Sequence, residues 1–255
     1  MVDTPGVTDV RDALVVVRWR ARGGVWRWAR ADAGLLAEQL WRAGPVRVGA
    51  RYRNRPDRHG LYFWPCTGGH VRYESARQVA ALMRLDFEGR ADCVGFRPVR
   101  LRFRQGAVTV GHDPDFLAVQ VGGDQVLYDV APDGPPTEKV MARWAETTRV
   151  CGLVGWRHQV LSPPSGVWAA NLEVLRPARL PRCHPPDRLA ARLRDVFAAG
   201  RSIGQGAAAG GRYPALVLPH VKHLIWHRRL AADLHVLLDF DTVATTVGDE
   251  GPCCG

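Results

Sequence analysis

Two aspartates at the ends of neighbouring apolar runs constrain this chain most. His112-Asp113-Pro114-Asp115-Phe116, followed by Val126-Leu127-Tyr128-Asp129-Val130, reads as a strand-turn-strand unit. Asp115 and Asp129 each stand where an apolar strand ends or turns, so two strands side by side would bring both carboxylates to one divalent cation. Mg²⁺ prefers a few well-placed oxygens, and phosphodiester hydrolysis uses such a cation to activate water and steady the leaving oxygen. An Asp at a strand end is also an ordinary turn residue that bonds its own backbone. His112, three residues before Asp115, has two roles open to it, catalysis or a structural hydrogen bond.

The charge balance narrows the partner. Lys plus Arg total 35 against 25 Asp plus Glu in 255 residues, a formal charge of +10, with an isoelectric point near 10. Such a surplus favours a polyanion, most often nucleic acid, although an Arg- and Ala-rich chain also reflects GC-rich coding. No apolar run approaches the length of a membrane span and Met1-Val2-Asp3-Thr4-Pro5 is no basic, apolar leader, so the expectation is a cytoplasmic protein with no membrane partner. Six scattered cysteines form no Cys-x-x-Cys pair and read as mostly buried small apolar residues, Cys253-Cys254 lying in a frayed tail.

Three regions are expected. Residues 1–57 form a strand-rich N-terminal extension, with an alternating strand at 13–20 and a second piece, Val25-Trp26-Arg27-Trp28. These Trp residues suit core or interface packing, with base stacking as the alternative. Arg51, Arg53, Arg55 and Arg58 mark an exposed basic loop. Residues 58–183 form an α/β core, a mixed sheet flanked by helices. Val79, Leu82, Met83 and Leu85 give the helix after Ser75 its apolar face. Val99, Leu101 and Phe103 alternate with Arg100, Arg102 and Arg104, a half-buried strand whose basic face could follow a phosphate backbone. After a proline-rich linker at 177–186, residues 187–250 have the order of a winged helix-turn-helix. Helices are expected near 189–197, after Ser202 and over 214–228, then a wing strand through Leu234, Val236 and Leu238. Lys222, His223, Arg228 and Arg229 on the third helix are candidate phosphate contacts, a protein-docking module being the alternative.

Eight short blocks follow one another along the chain. They are Gly60-Leu61-Tyr62-Phe63-Trp64, the run from Thr67 to Ser75, Leu85-Asp86-Phe87-Glu88, Val94-Gly95-Phe96 with Pro98, the His112 to Phe116 block, the Tyr128-Asp129-Val130 strand, Gly155-Trp156-Arg157 and Ala170-Asn171-Leu172. In this order and spacing they resemble the TnsA-like endonuclease subunits of heteromeric transposases, of the PD-(D/E)xK nuclease class. The resemblance implies a restriction-endonuclease-like fold, Mg²⁺ (or Mn²⁺) as cofactor and hydrolytic cleavage of DNA at transposon ends. It further implies a DDE-type transposase subunit as partner, which joins the other strand, and a C-terminal module like the winged one.

Carried over by position, Asp115 after Pro114 fits the Pro-Asp site and Asp129 the first position of the (D/E)xK strand, with the Val130 carbonyl as a further metal ligand. The expected Lys is Ala131, and the expected helix Glu is Gln78. Gln78 brings no formal charge to a cation, and without the Lys no cation stabilises charge developing on the phosphate. Glu74, one turn before Gln78, and Lys139 on the following helix are candidate replacements. Ser75-x-x-Gln78 also reads as a capping box. These departures leave three readings: a metal-dependent DNA endonuclease, a cleavage-impaired DNA-binding accessory protein that bridges or regulates the transposase, or a DNA-binding regulator acting through its winged module.

Overall fold

The computed structural model describes residues 15–48, 59–105 and 108–248, apart from the side chains of 104–108. They form a mixed α/β structure with several sheets and six α-helices. Among them no helix is long and apolar enough to cross a membrane. The basic loop expected at 51–58 and the Cys253-Cys254 tail lie outside the described residues.

The chain divides into two units, one comprising residues up to Val79 and Ala91–Ser162, the other Ala80–Arg90 and Pro163 onward. The boundaries expected at 57 and 183 are therefore not where the units part. In the first unit, β1 (Val15–Arg20) and β2 (Trp26–Arg30) form a hairpin, and β3 (Gly60–Trp64) pairs with β4 (Gly69–Tyr73). Helix α1 (Ala76–Glu88) is shared between the units by sequence. Then come β5 (Ala91–Phe96), β6 (Val99–Gln105), β7 (Val108–His112), β8 (Phe116–Gln120), β9 (Gln125–Val130), α2 (Glu138–Val154) and β10 (Arg157–Leu161).

Two four-stranded sheets result, in the orders β2-β1-β6-β7 and β10-β9-β8-β5. The second is mixed: β5 and β9 run antiparallel to β8, while β10 is parallel to β9. A parallel neighbour needs a crossover, which α2 supplies. Helix α2 starts where Thr137 Oγ1 accepts the Val140 N–H at 3.4 Å and stops at Gly155, whose φ of +90° suits glycine. The N-terminal strand is no separate extension, because β1 pairs with β6 over its length. The alternation of Val15, Val17 and Trp19 matches that of Val99, Leu101 and Phe103, and both rows are buried with Leu117, Leu127 and the Val150, Cys151 and Val154 face of α2. Each such side chain contributes roughly 1.5–3 kcal/mol by burial. Gly95 is required here, since a Cβ would collide with the Trp41 backbone.

The second unit adds α3 (Gly166–Leu175), α4 (Asp187–Phe197), β11 (Arg201–Ser202), α5 (Ile203–Gly210), α6 (Pro214–Trp226), β12 (Leu230–Ala232) and β13 (Val243–Thr246). Its sheet has the order β11-β13-β12. Ser202 caps α5, its Oγ accepting from the Gln205 N–H at 3.3 Å. Gly206 lets α5 close on α4, because a Cβ would run into the Phe197 ring. The three expected helices are present, but the wing strand expected through Leu234, Val236 and Leu238 is not. Asn171, fully buried on α3, binds that stretch instead: Nδ2 donates to the carbonyls of Leu234 (2.9 Å) and Val236 (2.8 Å), and Oδ1 accepts from the Leu238 N–H (2.9 Å). The proline-rich linker is also packed structure. Ala178 and Arg179 are buried, Arg179 pairs with Asp86 at 3.0 Å, and both carbonyls bind histidines of the α6 region, His223 and His227. Of the described cysteines only Cys151 is buried, its thiol pushed up to about 12 by burial and by the Asp129 charge.

Candidate functional site

Sheet register decides where the aspartates meet. Phe116 pairs with Tyr128, so one further step along β8 and β9 sets Asp115 opposite Asp129. Directly opposed residues project from the same face of a sheet. Both line a cleft of about 340 Å³ with Val130, Arg97 and His112.

The oxygens of this pair already accept N–H groups. Asp115 Oδ1 accepts from Gln78 Nε2 at 2.7 Å and Oδ2 from the Val130 backbone N–H at 2.8 Å. Asp129 Oδ2 accepts from Nε2 of His112 at 2.8 Å and of His158 at 3.0 Å. An ionised carboxylate only accepts, so both rings present an N–H to Asp129. His112 thus takes the structural hydrogen bond.

Gln78 follows from the helix start. Ser75 Oγ accepts the Gln78 N–H at 3.2 Å, and Gln78 Oε1 accepts the Glu74 N–H at 2.7 Å, a capping box that reaches one residue further back than usual. Because the Glu74 amide is a donor, the Gln78 atom beside it is the oxygen, and the NH₂ end faces Asp115. Glu74 is itself engaged by Arg97, Nη1 to Oε2 at 2.6 Å. Arg97 has φ of +40°, a region a non-glycine residue occupies only when its surroundings hold it there. Its N–H donates to the Asp115 carbonyl at 2.9 Å, and its Nη2 lies 3.6 Å from Asp115 Oδ1. At the position of the missing Lys, the Ala131 carbonyl accepts from Arg77 Nε at 2.8 Å, and Arg77 also pairs with Asp133.

The two carboxyls are driven apart electrostatically. Burial raises the Asp115 carboxyl above its ordinary range and the Asp129 charge adds to this, against the Val130, Gln78 and Arg97 contacts. For Asp129 burial is again the largest influence and acts upward, yet the hydrogen bonds and charges of His112 and His158 together outweigh it and hold the carboxyl below its ordinary value.

These residues do not fit Mg²⁺ or Mn²⁺ as they are arranged. Such cations need oxygen donors, whereas three of the four oxygens of the pair accept N–H bonds and Gln78 offers an N–H where a ligand oxygen is required. Val130 directs its backbone N–H to Asp115. Among the described residues no group of three or more His, Cys, Asp or Glu is arranged to hold a metal ion. Of the two replacements, Glu74 is held by Arg97, and Lys139 is exposed on α2 while Arg143 of the same helix lines the cleft.

The proposed DNA contacts separate sharply. Arg100 and Arg102 line a second basic cleft with Arg18 and Arg47, which shares Arg47, Gly111 and Asp113 with the first. Arg100 forms a bidentate pair with Asp113 at 2.6 and 2.7 Å. The Arg104 side chain lies outside the described residues. On α6 and just beyond, His223 is buried, its ring bonded to the Ala178 carbonyl, and burial with the neighbouring His227 pulls it down to about 4. It is neutral near pH 7 and out of reach of a phosphate. Arg228 is turned to the Phe87 carbonyl, and Arg229 donates its backbone N–H to Leu224 at 2.8 Å. Lys222 borders a small apolar cleft beside Leu218 and Phe240.

Arg97 and His158 were not singled out in the sequence. Arg97 carries a faint signal, a cation in the restricted position before Pro98. His158 has none, because its partner Asp129 lies on a neighbouring strand 29 residues away. A scan against protein-family models and a search of curated proteins both return no match to this chain.

Proposed function

We propose that this chain is a DNA-binding accessory subunit on a restriction-endonuclease-like scaffold of the TnsA-like kind, which holds transposon-end DNA beside a DDE-type transposase without cutting it. The carrying observation is the Gln78 amide, whose NH₂ rather than its oxygen faces Asp115 at 2.7 Å. Ala131 supports the same reading, since it adds no cation to stabilise a transition-state phosphate. DNA is the favoured polyanion because Arg18, Arg47, Arg97, Arg102 and Arg143 all border the two joined clefts. The scaffold assignment is supported by the mixed sheet with α2 as the crossover between β9 and β10, and by Pro114-Asp115 before β8 and Asp129 near the end of β9. The second unit, three helices after α3 with a small antiparallel sheet, is read as the winged module.

One observation favours metal-dependent cleavage as a second reading: Asp115 and Asp129 are opposed in register above a basic cleft. Both readings are tested on supercoiled and linear end-sequence DNA with Mg²⁺ or Mn²⁺, with and without the transposase. Salt-dependent binding without nicking, unchanged in Asp115→Ala, is the expected result. Nicking that disappears in Asp115→Ala establishes the endonuclease instead.

A further inference from the structure

The outer face of the sheet β2-β1-β6-β7 takes no part in the acidic pair. Strand alternation, with the rows of Val17 and Leu101 facing the core, leaves Trp26 and Trp28 of β2, Arg18 of β1 and Arg100 and Arg102 of β6 on the other side. Trp28 is paired with Arg18, and Arg18 with Arg100. The four strands contain seven arginines, two each in β1 and β2 and three in β6, and no Asp or Glu. Like charges directly opposed across a sheet repel. Asp113 balances Arg100, but Arg18 and Arg102 form no ion pair among the described residues. An anion lying across the strands relieves that repulsion.

The tryptophans specify which anion. Trp26 and Trp28 are 43% and 46% exposed, which sets aside core packing and leaves the interface packing and base stacking also expected for them, and the Arg18 guanidinium lies 5.0 Å from the Trp26 ring centroid. Flat rings interleaved with guanidinium groups on an open sheet match an unpaired strand, which offers base faces for stacking and a phosphate for each cation. A duplex hides its base faces inside the stack. The face is also continuous with the cleft that Asp115 and Asp129 line, because Arg47, Gly111 and Asp113 border both.

We propose that this face is a stacking platform for single-stranded DNA, leading from the cleft above Asp115 across Arg18 and Arg102 to Trp26 and Trp28. This rests on the DNA-binding reading and names the form of DNA that the first unit holds. The test uses the full chain and compares a 20-nucleotide single strand with the duplex of the same sequence, by tryptophan quenching and anisotropy. The double substitution Trp26→Ala with Trp28→Ala lies on an exposed edge strand, and its fold is checked by circular dichroism. Since stacking contributes about tenfold in affinity per base, the double variant loses roughly tenfold or more on the single strand and little on the duplex. Arg102→Glu, a second variant away from the edge, weakens both. Equal losses on the two DNAs, or no loss on either, overturn the platform while leaving DNA binding intact. A wild type that binds neither DNA overturns both proposals. Concentration-dependent self-association abolished by the Trp pair assigns the face to protein contact and also overturns the platform.

Discussion

The two units contain similar polar residues and use them differently. In the first, Arg18 and Arg102 lie along a cleft on a sheet face and the carboxylates Asp115 and Asp129 line its neighbour. In the second, His223, Arg228 and Asn171 turn inward to backbone carbonyls. The outward face of α6 is apolar, with Leu216 69% exposed and Tyr213 before it 60% exposed. The helix expected to contact phosphate thus exposes apolar residues rather than basic ones. Of the phosphate contacts inferred there from spacing, His223 and Arg228 bind backbone carbonyls within the unit, whereas Arg18 and Arg102 of the strands line a cleft.

The largest effects test whether these inward polar groups are structural. Asn171→Ala strands two carbonyls and an N–H of the 234–238 segment, and is expected to cost roughly 3 kcal/mol in urea unfolding. Asp129→Ala leaves two buried imidazole N–H groups without their acceptor, with an expected cost of about 3 kcal/mol. Asp129 also predicts a pH dependence. A carboxyl held below its ordinary value stabilises the fold above that value, near pH 4, and the contribution disappears as pH falls through the folded-state value. Asp129→Asn should therefore lie furthest below wild type at pH 7 and approach it in strong acid. Asp115 has the opposite sign: its raised carboxyl opposes folding when ionised, so Asp115→Asn should cost less than Asp129→Asn at pH 7. Equal costs would remove the electrostatic distinction between them.

Next in size are the proposed DNA contacts. Arg18→Glu with Arg102→Glu should weaken duplex binding by on the order of 10- to 100-fold at low salt and lower the salt slope by about one per cation removed. Lys222→Ala should change it less than about twofold. A larger loss from Lys222 than from the strand arginines would reverse the comparison between the units.

The second unit also responds to acid. His223 is held down at about 4 by burial and by His227, while an unfolded histidine titrates near 6.5. Between these values the unfolded chain binds the proton and the folded one does not, so stability falls as pH drops from 6.5 toward 4. His223→Gln should flatten that part of the thermal-midpoint profile. An unchanged slope would place the titration elsewhere.

Local pattern carried much of this fold. Alternation located β1 and β6 and their buried faces, and the Ser75-x-x-Gln78 spacing located the start of α1. Turn and cap residues located α2, α5 and α6. Two features escaped because long-range partners decide them. The alternation of Leu234, Val236 and Leu238 looks like a strand, but Asn171, more than 60 residues earlier, takes its backbone groups. Prolines at 177–186 suggest a linker, yet the segment is clamped by His223, His227 and Asp86. By type Trp26 and Trp28 suit core or interface packing; both are exposed on the outer face of an edge strand. At the site, the two aspartates, His112 and Gln78 were legible, whereas His158 of β10 and Arg97, in the turn after β5, reach the pair from elements distant in sequence.

The claim that Asp115 and Asp129 form a hydrogen-bonded node rather than a metal site is tested most directly by Mn²⁺ titration at neutral pH, followed by electron paramagnetic resonance, on wild type and Asp115→Ala. Superimposable isotherms with no stoichiometric site are predicted. One tightly held Mn²⁺ per chain, lost in Asp115→Ala, would contradict it.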